Sequence, residues 1–562
     1  MSAPIALDPG LVAAVTEWIA QDPDEATRAE LQALLDAKDV ATLHARFDHP
    51  LTFGTAGLRG VVGGGPGAMN RLVVRRTAAG VADWVANKGE WATLAGVVVG
   101  RDARHGSAEF ARDTVDVLAA AGVAAHVLDR PLPTPLTAFA VRHLGAAAGV
   151  VVTASHNPAH DNGYKVYDAD GSQIVPPADE AIEAASRRLA LAPRPTAATP
   201  GGVVVVDHAA LIEAYVAAIR DLDVTLGDKR SLRVAYTPLH GVGGAVVPDL
   251  LARAGFDVEV VAEQADPDPE FPTVAFPNPE EPGAMDLVVA LASRTGADLV
   301  VANDPDADRC CVAVPANGSW RTLSGDELGA LLGEDRCARS SGDDRLVATS
   351  IVSSSLLSKI AAHHDVAFTE TLTGFKWLGR AGTAAGRRLV FAYEEALGYA
   401  VSEAVRDKDG MSAALLACDL AWRCRAASTT LLEALDGLFA AHGVHLTRQL
   451  SFRREGPDGL AEIAATVARL VADPPSSIGG LQVSSVEDLS AGTDGLPPTE
   501  GIRLRAGTEL RVVVRPSGTE PKLKAYVEVV DGPAAPRLLA ASRARCGALL
   551  DRCASDVAAL CA

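Results

Sequence analysis

Residues 96–129 read GVVVGRDARHGSAEFARDTVDVLAAAGVAAHVLD, and the alternation inside this stretch decides the fold. The apolar run Gly96–Gly100 comes first. A helical stretch follows at 107–122, and a second apolar run closes the segment at 123–129. Both runs are apolar at consecutive positions, the pattern of parallel strands covered on both faces. The same alternation extends outward. A helix is expected near 135–144 and a strand at 147–154. The Pro/Ala-rich stretch LAPRPTAATPGG (191–202) reads as a linker. The pattern then resumes with the strands LRVAYTPL, DVEVVAE and ADLVVAND, and again with RLVATSI, AFTETLTG and RLVFAYEE. Residues 502–530 differ: they read as strands with no helices between them, followed by a helix from about 533. The expectation is three α/β units and a C-terminal α+β unit with an antiparallel sheet.

Composition sets limits. The 562 residues correspond to about four domains at ~150 residues each. The expected boundaries are 1–205, 206–318, 319–438 and 439–562. A net charge of −20 argues against nucleic acid as a partner. Eight scattered cysteines, without zinc-site spacing, read as reduced thiols of a cytoplasmic protein. No signal peptide or membrane-spanning run is read, so no membrane partner is expected. Only nine lysines occur, and five of them (165, 376, 408, 522 and 524) are expected in polar loops.

In open α/β sheets, ligands bind at the carboxyl ends of strands. Four polar stretches invite that reading, and the loops of several domains would converge on one cleft. In NDPDADRCC (303–311), Asp304, Asp306 and Asp308 stand at alternate positions after an apolar strand. Three carboxylates so close repel one another unless a cation intervenes, and oxygen ligands select Mg²⁺ or Ca²⁺. An EF-hand is excluded, because the flanking helix pattern, the loop glycine and the closing glutamate are missing. In VVTASHNPAHDNGYKVY (151–167), Ser155 ends a strand, with His156 beside it and Lys165 further on. A polar turn is the simpler alternative, and a hydrolase pair is not expected, since adjacent residues rarely reach nucleophile–base geometry. VVVRPSGTEPKLKAY (512–526) offers a guanidinium, hydroxyls and a glycine, the parts of a phosphate cradle. Glu394 and Glu395 end a strand and could accept hydrogen bonds from sugar hydroxyls, or simply be solvated.

Together these loops resemble the α-D-phosphohexomutase superfamily, the phosphoglucomutase/phosphomannomutase family. TASHNP (153–158) looks like its phosphoserine loop, DPDADR (304–309) its metal loop, EEALGY (394–399) its sugar loop and RPSGTEPKLKAY (515–526) its phosphate loop. FGTAGLRG (53–60), TPLHGVG (237–243), TLTGFKWLG (371–379) and DKDG (407–410) match further stretches in the right order. The resemblance implies four domains around a deep central cleft and a cytoplasmic monomer or homodimer. It implies that Ser155 is phosphorylated and that its phosphate joins Asp304, Asp306 and Asp308 around Mg²⁺. Arg59, Lys165 and His156 would serve the transfer. Arg309, Gly374, Lys376, Glu394, Lys408, Arg515, Ser517, Gly518, Thr519 and Lys524 would bind the phosphosugar. A sugar 1,6-bisphosphate would be intermediate and activator. The sugar loop carries Glu394-Glu395-Ala396 where many members have Glu-x-Ser, which puts the sugar in question. Glucose phosphate is expected first, with mannose and pentose phosphates after it. The rivals are a metal-dependent phosphatase and a non-catalytic phosphosugar sensor. No Walker A sequence supports nucleotide use.

Overall fold

The computed structural model describes residues 8–54, 57–188, 202–225, 227, 229–454, 459–492, 495–517 and 522–562. The chain forms two compact units. One comprises Met1–Cys310 with Ala404–Leu415, the other Cys311–Glu403 with Leu416–Ala562.

The first unit opens with three helices, Pro9–Gln21, Glu25–Ala37 and Val40–Phe47, each begun by an aspartate whose carboxylate accepts a backbone N–H. They were not read from the sequence. Leu11, Val15, Trp18, Leu31 and Leu43 join a core with Val74, Val81, Val97 and Val150. A six-stranded sheet follows, built from β1 (Leu58–Val61), β2 (Val97–Arg101), β3 (Ala125–Leu128), β4 (Ala148–Val152), β5 (Asp161–Asp168) and β6 (Val203–Val206). Its order is β1-β5-β4-β2-β3-β6. The β4, β2, β3 and β6 strands run parallel, as the apolar runs imply. The β5 strand is antiparallel to both β4 and β1. A short turn joins β4 to β5, and only antiparallel neighbours can be joined so briefly. The same unit holds a parallel trio, β7 (Arg233–Thr237) between β8 (Asp257–Val260) and β9 (Leu299–Ala302). The expected linker lies outside the described residues except for Gly202.

The second unit begins with the antiparallel hairpin β10 (Cys311–Ala316) and β11 (Ser319–Thr322). The helix Gly325–Arg339 then starts on a capping box of Ser324 and Glu327. Next, β12 (Arg345–Ser350) pairs in parallel with β13 (Ala367–Thr371) and β14 (Arg388–Glu394), and β15 (Gly398–Ala400) adds an antiparallel edge. Then come β16 (Val444–Arg453), the two-residue strands β17 (Ser477–Ile478) and β18 (Leu481–Gln482), β19 (Ser485–Asp488), β20 (Ile502–Ala506), β21 (Leu510–Pro516) and β22 (Lys522–Asp531). The order β16-β22-β21-β20-β19 makes a wholly antiparallel sheet, as expected. After a short turn at Pro536–Leu538, the helix Leu539–Cys561 packs on β16 and β22. It buries Leu539, Cys546, Leu550, Cys553 and Val557, one face at helical spacing. Among the described residues, no helix is long and apolar enough to cross a membrane.

Candidate active site

Ser155 sits in the turn between β4 and β5. The Asn157 N–H donates to the Ala154 carbonyl at 3.1 Å, closing the turn, and Ser155 takes a φ of 53°, where glycine is favoured. Its N–H donates to Thr153 Oγ1 at 2.8 Å. Its side chain is buried, and its hydroxyl donates to Asp304 Oδ2 at 2.7 Å. The His156 Nδ1 lies 3.2 Å from the same hydroxyl, nearer than expected of adjacent side chains, but the hydroxyl proton is donated to Asp304 and not to the imidazole. Burial, then Arg309 and Arg59, push the His156 imidazole well below its ordinary pKa, so it is neutral at pH 7.

Lys165 is not in a loop. It pairs with Val151 inside the sheet, which makes the polar stretch after Ser155 partly a strand. Lys522 and Lys524 are also strand residues, and Lys376 lies in the helix Phe375–Leu378. The Lys165 ammonium is fully buried and donates to Asp306 Oδ2 and Asp308 Oδ2, both at 2.8 Å. Burial disfavours its charge, but Asp306 and Asp308 outweigh burial and hold its pKa above the ordinary value. Lys408 Nζ stands 3.2 Å from Asp308 Oδ2.

Asp304, Asp306 and Asp308 are all fully buried, with ligand oxygens within 4.8 Å of one another. The loop turns where the Ala307 N–H donates to the Asp304 carbonyl at 2.8 Å, and Ala307 also has a left-handed φ of 54°. Asp304 Oδ1 accepts the Arg309 N–H at 3.0 Å, and Thr134 Oγ1 donates to Asp306 Oδ2 at 2.8 Å. Asp306 Oδ1 and Asp308 Oδ1 are buried without a partner. Burial, then Asp306 and Asp308, push the Asp304 carboxyl well above its usual range. Burial acts the same way on Asp308, but Lys165 and Lys408 outweigh it and hold that carboxyl down. Two orphaned carboxylate oxygens in an oxygen-only cluster fit a hard cation, which would satisfy both. Arg59, on β1, donates from Nη1 to Asn157 Oδ1 at 3.3 Å, and Arg309 forms an ion pair with Glu280 at 3.3 Å. Thus Ser155, His156, Arg59, Lys165, Arg309, Lys408 and the three aspartates come together in the first unit.

The second unit gathers the rest. Glu394 ends β14 and accepts the Gly374 N–H at 2.6 Å. Lys376 Nζ lies 5.9 Å from the Trp377 ring centroid. Glu395 turns inward and accepts from Ser353 Oγ at 2.9 Å and Ser350 Oγ at 3.3 Å. Burial, then Glu394, raise its pKa. Arg515 and Lys524 are cross-strand partners, and the Ser517 N–H donates to the Lys522 carbonyl at 2.8 Å. Gly518 and Thr519 lie outside the described residues. Tyr526, hydrogen-bonded to Arg515, also feels the charges of Glu394 and Glu395, which links the sugar-loop and phosphate-loop residues.

Sequence reasoning missed Thr134 and Arg104, and it quoted DKDG (407–410) without giving Asp407 a role. Asp407 Oδ2 accepts from Tyr167 at 2.9 Å and Gln173 at 2.7 Å, while Lys408 beside it reaches Asp308. The rule about carboxyl ends of parallel strands could have found Arg104, which follows β2 as Ser155 follows β4.

Four models of phosphoglucomutase/phosphomannomutase domains match in sequence: α/β/α domain I at 50–192, domain II at 213–318, domain III at 324–440 and the C-terminal domain at 455–544. The chain belongs to the phosphoglucomutase/phosphomannomutase family. Members of this family are phosphotransferring isomerases, and this chain is a phosphosugar mutase by family. A Haemophilus influenzae relative named "Probable phosphomannomutase" is 40% identical, covering 82% of this chain and 93% of its own. A phosphopentomutase of Homo sapiens is 34% identical, covering 92% of this chain and 91% of its own. A solved structure of a phosphoglucomutase/phosphomannomutase family protein from Burkholderia thailandensis shares the fold, with a TM-score of 0.66 and 20% identity over 89% of this chain and 97% of its own.

Proposed function

We propose that this family member interconverts two monophosphates of one sugar by passing a phosphoryl group through Ser155. The observation that carries the reading is the buried Ser155 hydroxyl, 2.7 Å from Asp304 in a carboxylate cluster with two unpartnered oxygens. In the first half-reaction, the phosphoserine P–O bond breaks as a sugar hydroxyl oxygen bonds to phosphorus. The hydroxyl gives up its proton, and the Ser155 oxygen leaves. A sugar bisphosphate results, turns, and returns its other phosphoryl group to Ser155. Mg²⁺, held by Asp304, Asp306, Asp308 and the Ser155 phosphate, would neutralise charge on the phosphoryl oxygens. Neutral His156, 3.2 Å from the Ser155 oxygen, is the base placed to take the hydroxyl proton and pass it to that leaving oxygen, whereas Lys165, kept charged by Asp306 and Asp308, can act only as a proton donor. Arg59 supplies fixed positive charge beside the turn. In the second unit, Arg515, Ser517, Gly518, Thr519 and Lys524 hold the phosphate that is not reacting. Glu394, Gly374 and Lys376 orient the sugar, and Arg309 and Lys408 complete the binding set.

The sugar we propose first is a pentose phosphate. Relatives named phosphoribomutase and phosphopentomutase match 93% and 92% of this chain, against 86% for one named phosphoglucomutase and 82% for one named phosphomannomutase, and this coverage supports the choice over the glucose phosphate expected from the sequence. Glucose phosphate stands second and mannose phosphate third. Eight buried, unbridged cysteines support a reducing, cytoplasmic setting. The test is a coupled assay of the purified protein with ribose, glucose and mannose 1-phosphates at equal concentration. Conversion of each to its ω-phosphate without release of inorganic phosphate is expected, fastest for ribose. Phosphate release matching substrate loss would make the protein a phosphatase, and binding without turnover a sensor.

A further inference from the structure

The turn carrying Ser155 is unusual in what holds it. Arg104 follows β2, and its side chain is almost wholly buried. Its guanidinium donates to four backbone carbonyls, three in that turn and one at the start of β5. Nη2 reaches the carbonyls of Ser155 at 2.7 Å and Asn157 at 2.5 Å. Nη1 reaches those of Pro158 at 2.7 Å and Asp161 at 3.2 Å. The fork is itself fixed. Asp102 accepts the Arg104 N–H at 3.0 Å and the Ser107 hydroxyl at 2.6 Å, and lies 3.4 Å from Arg104 Nε. On the other side, the Phe271 ring covers the guanidinium at 4.9 Å. Phe271 lies in the matched domain II segment, as does Asp304, which accepts the Ser155 hydroxyl.

We infer that Arg104 is a positioning residue for phosphoryl transfer: its fork imposes the left-handed backbone on Ser155 and so aims the hydroxyl at the carboxylate cluster. This rests on the mutase reading above. A serine with φ of 53° is disfavoured without support. Four carbonyl contacts from one rigid planar cation provide that support. Lysine has the charge but not the fork, and its ammonium cannot reach four separated carbonyls. The role is therefore geometric, and charge alone does not fulfil it.

Arg104→Lys separates geometry from charge. It should lower kcat about 100-fold, the scale of a reacting group misplaced by about an ångström, and leave KM within about threefold. Hydrogen exchange at the amides of residues 155–157 and 159–161 should quicken, while β2 and the flanking parts of β4 and β5 stay protected. Full kcat in Arg104→Lys, or unchanged exchange in the turn, overturns the proposal. Exchange quickened equally throughout the first unit also overturns it, since that marks a general packing role. Phe271→Leu is the gentler second variant if the lysine protein does not fold. It keeps all the donors, loosens the fork, and should show the same local exchange with a smaller loss of kcat. If the wild type converts no sugar phosphate, the mutase reading fails, and the exchange measurement still decides the clamp.

Discussion

Each unit buries a cluster of charge, and the two are built differently. In the first unit, Asp304, Asp306 and Asp308 meet Lys165 and Lys408, two carboxylate oxygens are left without partners, and Ser155 and Ala307 hold left-handed backbones. In the second unit, Glu528 lies in a closed network. It accepts from Ser354 Oγ at 2.8 Å and the Ser355 N–H at 2.7 Å, meets His445 at 3.0 Å and pairs with Arg511 at 2.9 Å. Arg511 continues to Glu370 at 3.1 Å, and Arg503 joins Glu370 at 3.0 Å to Glu487. No buried oxygen or nitrogen of Glu528, Arg511 or Arg503 lacks a partner. Satisfied charge of this kind fixes one packing arrangement. Orphaned acceptors and strained turns are kept where a ligand completes them. The first cluster should thus lose function when altered, and the second should lose stability.

Ser155→Ala carries the largest effect. No neighbouring group replaces a covalent carrier, so mutase turnover should fall by roughly four orders of magnitude or more. The thermal midpoint should stay close to that of the wild type, because only a hydroxyl is removed. A variant with a tenth of wild-type activity would remove Ser155 from the mechanism.

Glu528→Gln tests the opposite case. Arg511 would lose its nearest anion while buried, at a loss of about 3–5 kcal/mol in stability. Metal binding in the first unit should not change. The pH dependence has a definite sign. Burial would raise the Glu528 carboxyl, but Arg511 and then His445 outweigh it and hold its pKa below the ordinary value. Its contribution is therefore present above the unfolded pKa and lost as pH falls through the folded one. The urea midpoints of wild type and Glu528→Gln should converge as pH drops below about 4.5. A constant gap would mean that Glu528 does not titrate in this network.

How far each cluster was legible follows from chain distance. The three aspartates stand within one loop, so their spacing alone exposed them. Glu528, Arg511 and Arg503 lie on strands read only as strands, and their partners Ser354 and Glu370 are remote in sequence. Arg104 and Thr134 are single residues recruited by the fold, with no motif of their own. Lys165 was noticed but misplaced, because the polar stretch before it concealed the start of β5. The parallel strands were legible because burial on both faces leaves a continuous apolar run. Of the antiparallel additions, β5 carries polar residues and β15 is only three residues long, so neither left such a mark. Glu394 and Glu395 looked equivalent as neighbours, and only the structure separates one facing Gly374 from one held by Ser350 and Ser353.

Asp306→Asn sharpens the functional side. It removes a carboxylate charge from the cluster and should lower kcat by about two to three orders of magnitude, the scale of losing a major electrostatic stabiliser. Chelation of divalent metal should abolish turnover and be reversed by Mg²⁺. Without metal, the variant should melt no lower than the wild type, since like-charge repulsion falls while Lys165 keeps Asp308. Full activity in EDTA would end the metal assignment.

The smallest effect lies at the margin of the second cluster, in Asp326. Its carboxylate accepts from the Ser354 N–H at 2.7 Å, Tyr393 OH at 3.0 Å and Thr447 Oγ1 at 2.7 Å. Burial nevertheless pushes its pKa up to about 6, against the pull of those hydrogen bonds. A raised carboxyl means that the folded state binds more protons than the unfolded one between about pH 4 and 6, so stability falls as pH rises through that window. The loss amounts to about 2–3 kcal/mol, because each tenfold difference in proton affinity between the folded and unfolded states is worth about 1.4 kcal/mol. Asparagine at this position keeps the oxygen that faces Ser354 and Tyr393, and its amide can donate to the Thr447 hydroxyl, which turns from donor to acceptor. Asp326→Asn should therefore fold with little change at pH 4 and gain on the wild type as pH rises to 7. Urea midpoints of the two proteins across that range provide the measurement. Parallel curves would show that the Asp326 charge is already satisfied, which would make this position as closed as Glu528.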